Sequence, residues 1–522
     1  MLKRLSLGPL PKNFLNTLLN LTANAQGDAE KIKVEAPFTG KPIGYVFDGG
    51  QVDVDRAFEL SRQAQQQWAQ TPVTGRKKIF DRFHDLVLKH RELLMDIVQL
   101  ETGKNRASAA DEVFDIAITT RFYVNNAAKF LNDKKRPGAL PIVTRTTQQH
   151  VPKGVVGQIT PWNYPLTLGV SDAVPALLAG NGVVAKPDLA TPFSCLIMVK
   201  LLIDAGLPPH LMQVVTGSGE VVGGAIADQC DFLMFTGSTK TGRILGRQVG
   251  ERLVGFSAEL GGKNPLIVAK DADLDHVIAE LPQACFSNSG QLCVSIERIY
   301  IEEEVYEEVV ERFVRGVQQM SLGAGFEWSV EMGSLINQAQ LDRVSEFVDQ
   351  AKSAGATVLC GGKARPDLGP YFYEPTVLSD VPESAALRTE EVFGPVVFME
   401  KVASLEMAVT KANDTSYGLN ASVFASPETG RGVARQLEAG GVGINDGYAA
   451  TWASVSTPLG GMKQSGLGRR HGAEGMLKYT EIRNVAEQRW VSMRGSAKIS
   501  RKVYADTVAT ALRVGKILKI LP

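Results

Sequence analysis

The chain has 522 residues, of which 44% are hydrophobic and 21% are charged, and this composition predicts a globular protein with a large core and two or three domains. Lys plus Arg and Asp plus Glu number 56 each, so no overall field would draw the protein toward nucleic acid or an anionic membrane surface.

The cysteines and the N-terminus indicate the compartment. Five scattered cysteines, an odd number, argue against a disulfide framework and favour a reducing, cytoplasmic location. The apolar stretch after Lys3 and Arg4 is interrupted by Pro9 and Pro11, so no signal peptide is expected, and residues 1–30 are predicted to be a poorly determined leader. The sequence contains no run of 18 or more apolar residues, so no membrane span is predicted.

Secondary structure is predicted from the spacing of apolar residues. Residues 53–100 and 107–130 have helical spacing and predict successive amphipathic helices. From Val155 onward, short apolar runs alternate with helical stretches such as 193–204, and a second region of this kind covers about 271–456, so we expect buried parallel strands in two α/β layers. The predicted strands are VVGQIT, VVAKP, MQVVTG, FLMFTG, NPLIVA, RIYIEE, TVLCGG, FGPVVFMEKV and GLNASVFA.

Two open α/β sheets imply a cleft, and ligands in such sheets bind beyond the carboxyl ends of the strands. The Gly-rich ends of the predicted strands are therefore where a cofactor is expected. The tail from Tyr504 to Leu521 predicts an amphipathic helix at the surface or at an interface, rather than on a membrane.

Three separated segments carry the chemistry: TPWNYP at 160–165, ELGGKNP at 259–265 and NSGQLC at 288–293. In order and spacing, from about Asp53 to about Thr480, the chain resembles the aldehyde dehydrogenase superfamily. The resemblance implies an α/β fold with a Rossmann-like cofactor domain, an α/β catalytic domain and a small β-flap that pairs subunits into a homodimer or homotetramer. The implied boundaries are 31–133 and 152–262 for the cofactor domain, 263–460 for the catalytic domain, 134–151 and 475–495 for the flap, and 496–522 for the tail helix.

The same resemblance assigns three catalytic residues. Cys293 would attack the aldehyde as a thiolate, although a cysteine in an apolar setting is by itself more often a packing residue. Asn163 and the backbone amide of Cys293 would bind the resulting oxyanion, and Glu259 would be the general base that hydrolyses the thioester. Family members that transfer the acyl group to coenzyme A typically lack a Glu at that place, so release of the free acid is expected.

The resemblance also implies a nicotinamide cofactor and no metal. Ser238 and Thr239 would bind the pyrophosphate, Lys186 the adenosine ribose and Glu391 the nicotinamide ribose. NAD-selective members usually carry Glu where this chain has Leu189, so NADP is expected, with NAD possible. The implied cofactor-binding residues are Trp162, Asn163, Lys186, Pro187, Asp188, Leu189, Ser238, Thr239, Leu260, Glu391 and Phe393.

Within the superfamily, KGVVGQITPWNYP, FSAELGGKNP, ACFSNSGQLCVSIERIY and GRRHGAEGMLKYTE are most similar to the second, actinobacterial type of NADP-dependent succinate-semialdehyde dehydrogenase, which predicts succinic semialdehyde as the substrate. A carboxylate in an apolar tunnel needs a cation, however, and Ser171 and Ser287 occupy the two positions where better-studied members have Arg. An alternative pocket could be formed by Arg121, Tyr123, Tyr448, Trp452 and Ser456. A general or aromatic aldehyde therefore stays open as the substrate.

Two alternatives come from other classes of protein. One is a cysteine hydrolase or acyl transferase with a His base, but none of the six histidines falls in a motif near Cys293. The other is a scaffold that kept the fold after losing activity. Intact Cys293, Glu259, Asn163 and Lys186 argue against this second alternative.

Overall fold

Two largely parallel sheets are the framework of the computed structural model, which describes residues 5–24, 30–139, 143–490, 492–495, 499–517 and 519. The described helices are α1 Lys12–Leu19, α2 Gln51–Gln70, α3 Val73–Lys89, α4 Arg91–Thr102, α5 Arg106–Leu131, α6 Pro165–Val170, α7 Ala173–Leu178, α8 Pro192–Asp204, α9 Gly224–Gln229, α10 Thr239–Glu251, α11 Leu274–Phe286, α12 Glu303–Gln318, α13 Gln338–Ala354, α14 Ala386–Thr389, α15 Leu405–Asn413, α16 Pro427–Ala434, α17 Ala449–Ala453, α18 Glu474–Leu477 and α19 Arg501–Ile517.

The strands are β1 Lys31–Ala36, β2 Lys41–Phe47, β3 Lys134–Arg136, β4 Thr144–Pro152, β5 Val155–Ile159, β6 Gly182–Lys186, β7 Met212–Val214, β8 Phe232–Thr236, β9 Gly255–Glu259, β10 Asn264–Val268, β11 Ile296–Glu302, β12 Thr357–Cys360, β13 Thr376–Ser379, β14 Val396–Val402, β15 Tyr417–Gly418, β16 Asn420–Phe424, β17 Gly441–Ile444, β18 Met462–Lys463, β19 Gly466–Leu467 and β20 Thr480–Gln488. Each of the nine apolar runs named above overlaps one of these strands.

The first sheet has the strand order β19-β9-β8-β5-β6-β7, and only β19 runs antiparallel to its neighbour. Residues of β5, β6 and β7 are buried throughout, as expected for parallel strands that are covered on both faces. The sheet lies against the cluster of helices α2–α5 and α8, whose apolar faces form a large part of the core.

The second sheet has the order β12-β13-β14-β11-β10-β16-β17, with β12 as its antiparallel edge. The chain leaves the first sheet at Glu259 and enters the second at Asn264. The predicted ELGGKNP segment is therefore the crossing between the two sheets, and it places Glu259 at the carboxyl end of a strand, facing the junction.

A third sheet, β20-β4-β3, pairs the two segments that were expected to form the flap. Strand β20 pairs with β4 over all nine of its residues, and eight of those nine are exposed.

The two ends of the chain differ from the sequence predictions. The predicted leader, residues 1–30, contains α1, a helix that the sequence analysis did not predict, and its Leu15, Leu18 and Leu19 are buried in the main core. The apolar spacing of this helix begins only after Pro9 and Pro11. The tail helix runs from Arg501 to Ile517 instead of Tyr504 to Leu521, and the end of the predicted helix lies outside the described residues.

In the part of the chain that the structure describes, we find no helix with the length and apolarity needed to cross a membrane.

Candidate active site

A strained turn presents Cys293 to a cavity between the sheets. The residues before it form a short 3-10 turn in which Asn288, Ser289 and Gly290 all have left-handed backbone conformations, with φ of 51°, 57° and 70°. At Gly290, a Cβ atom would collide with the carbonyl of Gly394, so only glycine fits there. Such strain persists where the surrounding structure fixes it, and it is typical of functional sites.

Asn163 shares the wall of this cavity with Cys293. Its side chain is buried, and Nδ2 donates to the carbonyl of Gln291 at 3.1 Å. An amide nitrogen has two protons, so one remains for an oxygen bound beside Cys293. Both residues come from the predicted segments, and the structure brings them together although they are 130 positions apart.

A buried ion pair fixes the loop that contains Asn163. Lys104 Nζ lies 2.5 Å from Glu112 Oε1, donates to the carbonyl of Asn163 at 2.7 Å and sits 3.7 Å from the centre of the Tyr164 ring. Glu112 Oε2 accepts from the backbone amides of residues 166 and 167, at the start of α6. Both charged side chains are wholly buried. Sequence reasoning missed this pair, because no local pattern links it to the loop 59 residues away.

Glu259 ends β9 as a buried carboxyl group. Burial raises its pKa to about 7, and the nearby cations Arg470 and Lys478 oppose that rise. Its Oε1 atom is buried and has no hydrogen-bond partner among the described residues. A carboxyl group with a pKa near neutrality is suited to accept and release a proton at physiological pH.

Burial also raises the pKa of the Cys293 thiol to about 12, and Arg470 is the first of the groups that oppose this rise. Cys293 is half-buried, whereas the other four cysteines are buried, and none of the five is in a disulfide. The thiol is therefore neutral near pH 7 in the ligand-free protein, and its use as a nucleophile requires removal of a proton when the aldehyde binds.

The residues predicted to bind the cofactor lie at the carboxyl edge of the first sheet and at the junction. Ser238 caps α10, accepting from the amide of Thr241, and Lys186 ends β6 with Nζ donating to the carbonyl of Pro187. Asp188, the acidic residue next to Leu189, accepts a hydrogen bond at Oδ1 from the amide of Ala190. One of its two carboxylate oxygens is therefore already bonded.

Further predicted cofactor-binding residues lie near the junction between the two sheets. Glu391 Oε1 accepts from the amide of Gly262, and burial raises the pKa of Glu391 to about 8. Phe393 has a left-handed backbone, with φ of 59°, and its ring meets the edge of Trp162 at 5.4 Å. Leu260 is buried, and its amide donates to the carbonyl of Ser465.

These features fit a dinucleotide. The N-terminus of α10 can bind an anionic pyrophosphate, because its first amides point out of the helix. Val221 and Ile244, on the helical segments that follow β7 and β8, are apolar side chains that are 50% and 57% exposed. At Gly219, a Cβ atom would meet nothing within 4 Å, so the backbone is open to a ligand there.

The cavity beside Cys293 measures about 220 Å³ and is largely apolar. Its only ionisable side chains apart from Cys293 and tyrosine are Asp111 and Asp115, and it has no cationic lining residue among those described. Asp115 Oδ1 accepts from Trp452 Nε1 at 2.9 Å, and burial raises the pKa of Asp115 to about 6. Phe114 and Ile118, from the same helix, are half-exposed at the cavity.

Only two residues of the alternative pocket line this cavity, namely Tyr448 and Trp452. Arg121 is exposed and pairs with Asp81 at 2.9 Å, so its inclusion was wrong. Tyr123 is buried against α18, and Ser456 is exposed outside the cavity.

The two serines at the expected arginine positions have other partners. Ser171 donates to Asp115 Oδ2 at 2.9 Å, and Ser287 donates to the carbonyl of Gln283 at 2.8 Å. The polar group next to Ser171 is therefore an acid. This arrangement offers no paired cation to a carboxylate in the cavity.

Comparison with known proteins identifies the class. The family model described as "Aldehyde dehydrogenase family" matches residues 24–485. The chain belongs to the aldehyde dehydrogenase family, as the resemblance in the motifs predicted, and it is an enzyme of that class.

Among its relatives, a protein of Mycolicibacterium smegmatis named "Putative succinate-semialdehyde dehydrogenase (NADP+)" is 49% identical over 95% of this chain and 96% of its own. A Mycobacterium tuberculosis H37Rv protein of the same type, numbered 2, is 51% identical over 92% and 93%. The mitochondrial succinate-semialdehyde dehydrogenase of Arabidopsis thaliana is 38% identical over 88% and 86%.

Solved structures agree in fold. An Escherichia coli NADP-dependent enzyme is 34% identical, with a TM-score of 0.85 over 90% of this chain and 97% of its own. An aldehyde dehydrogenase of Bacillus cereus in complex with NAD+ is 33% identical, with a TM-score of 0.85 over 92% and 99%. The aldehyde dehydrogenase fold is thereby confirmed.

Proposed function

We propose that this enzyme is a non-acylating, NADP-linked aldehyde dehydrogenase that uses Cys293 as nucleophile, Asn163 as oxyanion donor and Glu259 as general base. The observation that carries the proposal is the position of Cys293 and Asn163 on one cavity wall, with the buried carboxyl group of Glu259 electrostatically coupled to the thiol.

In the first half-reaction, Glu259 removes the thiol proton and passes it to solvent, and Cys293 Sγ forms a bond to the aldehyde carbon. The carbonyl electron pair moves to oxygen, where Asn163 Nδ2 donates to the new negative charge. A bound nicotinamide supplies the two-electron acceptor, so the carbon loses its hydrogen and becomes a thioester of Cys293.

In the second half-reaction, Glu259 takes a proton from water while the water oxygen bonds to the thioester carbon. The carbon–sulfur bond then breaks, the acid leaves and Cys293 is regenerated. The apolar cavity favours both steps, because fixed donors act more strongly where water is excluded.

NADP is the proposed cofactor, with NAD as a second acceptor. Leu189 provides no carboxylate to accept the ribose hydroxyls and repel a 2′-phosphate, and Lys186 provides a cation at the end of β6. The relatives' names support the same preference, since two of them specify NADP.

Succinic semialdehyde is the first candidate substrate, because three relatives have names that specify it. An uncharged or aromatic aldehyde is the second, and the cavity favours it. Asp111 and Asp115 line the cavity without a cation, and burial raises the pKa of each acid. A substrate carboxylate would meet like charge there.

The test measures kcat/KM for succinic semialdehyde, hexanal and benzaldehyde, each with NADP and with NAD. Cys293→Ala is the control and should abolish turnover while leaving NADP binding unchanged; undiminished turnover would reject the mechanism. A tenfold advantage for succinic semialdehyde, about 1.4 kcal/mol, supports the first candidate. A tenfold advantage in kcat/KM for hexanal or benzaldehyde over succinic semialdehyde supports the second candidate.

A homo-oligomeric, cytoplasmic enzyme completes the proposal. Five free cysteines support a reducing compartment, and the exposed third sheet supports subunit pairing. The predicted domain boundaries belong to the same proposal and are supported by the change of sheet between residues 259 and 264.

A further inference from the structure

The face of the first sheet that carries Glu259 also carries a buried group of charged side chains. Thr236 and Glu259 are directly paired on β8 and β9, and Met234 and Ser257 are paired two residues earlier. Because side chains two residues apart on a strand point to the same side, these four side chains share one face.

Two cations contact this face. Arg470 Nη2 donates to Thr236 Oγ1 at 3.3 Å and to Asp172 Oδ2 at 2.7 Å. Lys478 Nζ donates to Ser257 Oγ at 3.3 Å and lies 3.6 Å from Asp172 Oδ1. One carboxylate therefore bridges two cations, and the group formed by Asp172, Arg470 and Lys478 has a net positive charge beside Glu259.

Arg470 is held rigidly and still has an unused donor. Its guanidinium lies 5.4 Å from the centre of the Trp452 ring, and its side chain is 6% exposed. In the described part of the chain, Arg470 Nε and Glu259 Oε1 are both buried without hydrogen-bond partners. Neighbouring strands lie about 4.8 Å apart, so a guanidinium bonded to Thr236 stands next to the Glu259 carboxyl group.

We propose that Arg470, fixed by Asp172 and Thr236, is a positioning residue that holds the general base Glu259 in its charged form, directed toward the acyl group on Cys293. This inference rests on the proposed function, because it requires Glu259 to be the general base. It assigns no chemistry to Arg470 itself. It also explains why Asp172 and Arg470 are buried here, which is costly unless the charges are paired.

The electrostatics around Glu259 support this assignment. Burial raises its pKa to about 7, and Arg470 is the largest influence that opposes the rise, while Asp172 adds to it. Burial and Arg470 together lower the pKa of His471 to about 3, so His471 is neutral near pH 7. The charged or titratable groups that face Glu259 are Arg469, Arg470, Lys478, Asp172, Cys293 and Tyr479.

The test is the pH dependence of steady-state turnover with NADP and the panel aldehyde of highest kcat/KM. The base acts when ionised, so turnover falls as the pH drops through its pKa. Arg470→Gln removes a nearby cation and should move this midpoint up by about one pH unit, which is about a fivefold loss at pH 7 that approaches tenfold at lower pH and recovers at higher pH. Asp172→Asn removes an anion and should move the midpoint down.

Two controls separate this role from a structural one. Arg470→Lys keeps the charge and should return the midpoint toward that of the parent enzyme. Arg469→Gln removes the neighbouring cation, whose Nη1 donates to the carbonyls of Gly461 and Gly468. Arg469 affects the pKa of Glu259 less than Arg470 does, so this variant should shift the midpoint less than Arg470→Gln. If Arg470→Gln does not fold, Asp172→Asn and Arg470→Lys still decide the question.

Glu259→Gln identifies which assignment fails. If it removes the fall in turnover at low pH (the acidic limb of the pH profile) while Arg470→Gln and Asp172→Asn leave the midpoint unmoved, the role of Arg470 is overturned and the proposed function stands. If the limb persists in Glu259→Gln, the base assignment fails and the role of Arg470 fails with it. Opposite shifts in the two charge variants, with the limb lost in Glu259→Gln, establish the proposal.

Discussion

At the scale of single residues, Glu259 has its largest effect in the second half of the proposed cycle. Hydride loss from the carbon needs the oxyanion donor, whereas thioester hydrolysis needs a base for water. Glu259→Gln should therefore slow steady-state turnover by about 10² to 10⁴-fold. Loss of the thiol proton also becomes slower in this variant, but by less than hydrolysis, so a burst of one NADPH per active site should survive. Rapid-mixing absorbance at the NADPH band measures both. A burst that fell as much as the steady state would contradict the assignment.

Leu189 is the residue on which the cofactor preference depends. Leu189→Glu should move the kcat/KM ratio of NADP to NAD toward NAD by about tenfold or more, because a carboxylate there would accept the ribose hydroxyls and repel a 2′-phosphate. Leu189→Gln is the matched control, having the same size without the charge. An unchanged ratio in Leu189→Glu would show that the ribose lies elsewhere.

At the scale of elements, the loop before α6 depends on the buried pair Lys104 and Glu112. The pair fixes the carbonyl of Asn163 on one side and the first amides of α6 on the other. Leaving one buried charge unpaired costs about 3–5 kcal/mol, so the informative variant removes both charges at once by combining Lys104→Met with Glu112→Gln.

This double variant should lower kcat about 10 to 100-fold, somewhat less than the loss of a whole oxyanion donor, with little change in NADP binding. The same change made in an Asn163→Ala background should cost little more, because both act on one contact. Stopped-flow hydride transfer gives the rates. Fully additive losses in the combined variant would mean that the pair does not act through Asn163.

The sequence allowed the nucleophile and oxyanion donor to be predicted because each lies inside a compact motif. Arg470 and Asp172 are 298 residues apart, and neither has a local pattern that indicates its partner. Buried strands such as β5 were predicted from continuous apolar runs. Strand β20 was expected only through the family resemblance that implies the flap, because polar residues dominate it and its pairing with β4 joins segments that are far apart in the sequence.

At the scale of the whole molecule, the third sheet is unusual because neither face of β20 is covered. Ile482 and Val485 point to opposite faces and are 67% and 42% exposed. A small sheet with little burial is marginal in water, and a long exposed edge strand is a template for pairing with another chain. We therefore expect subunits to associate through this sheet.

Ile482→Asp combined with Val485→Asp should shift the protein to monomer, because charged groups on both faces oppose burial against a second subunit. Leu253→Asp is the matched control, since Leu253 is 94% exposed on a loop after α10 and should leave the assembly unchanged. Sedimentation velocity at several concentrations measures the state of each. A parent protein that sediments as a monomer would contradict subunit association, and a double variant that remains an oligomer would place the subunit interface on another surface.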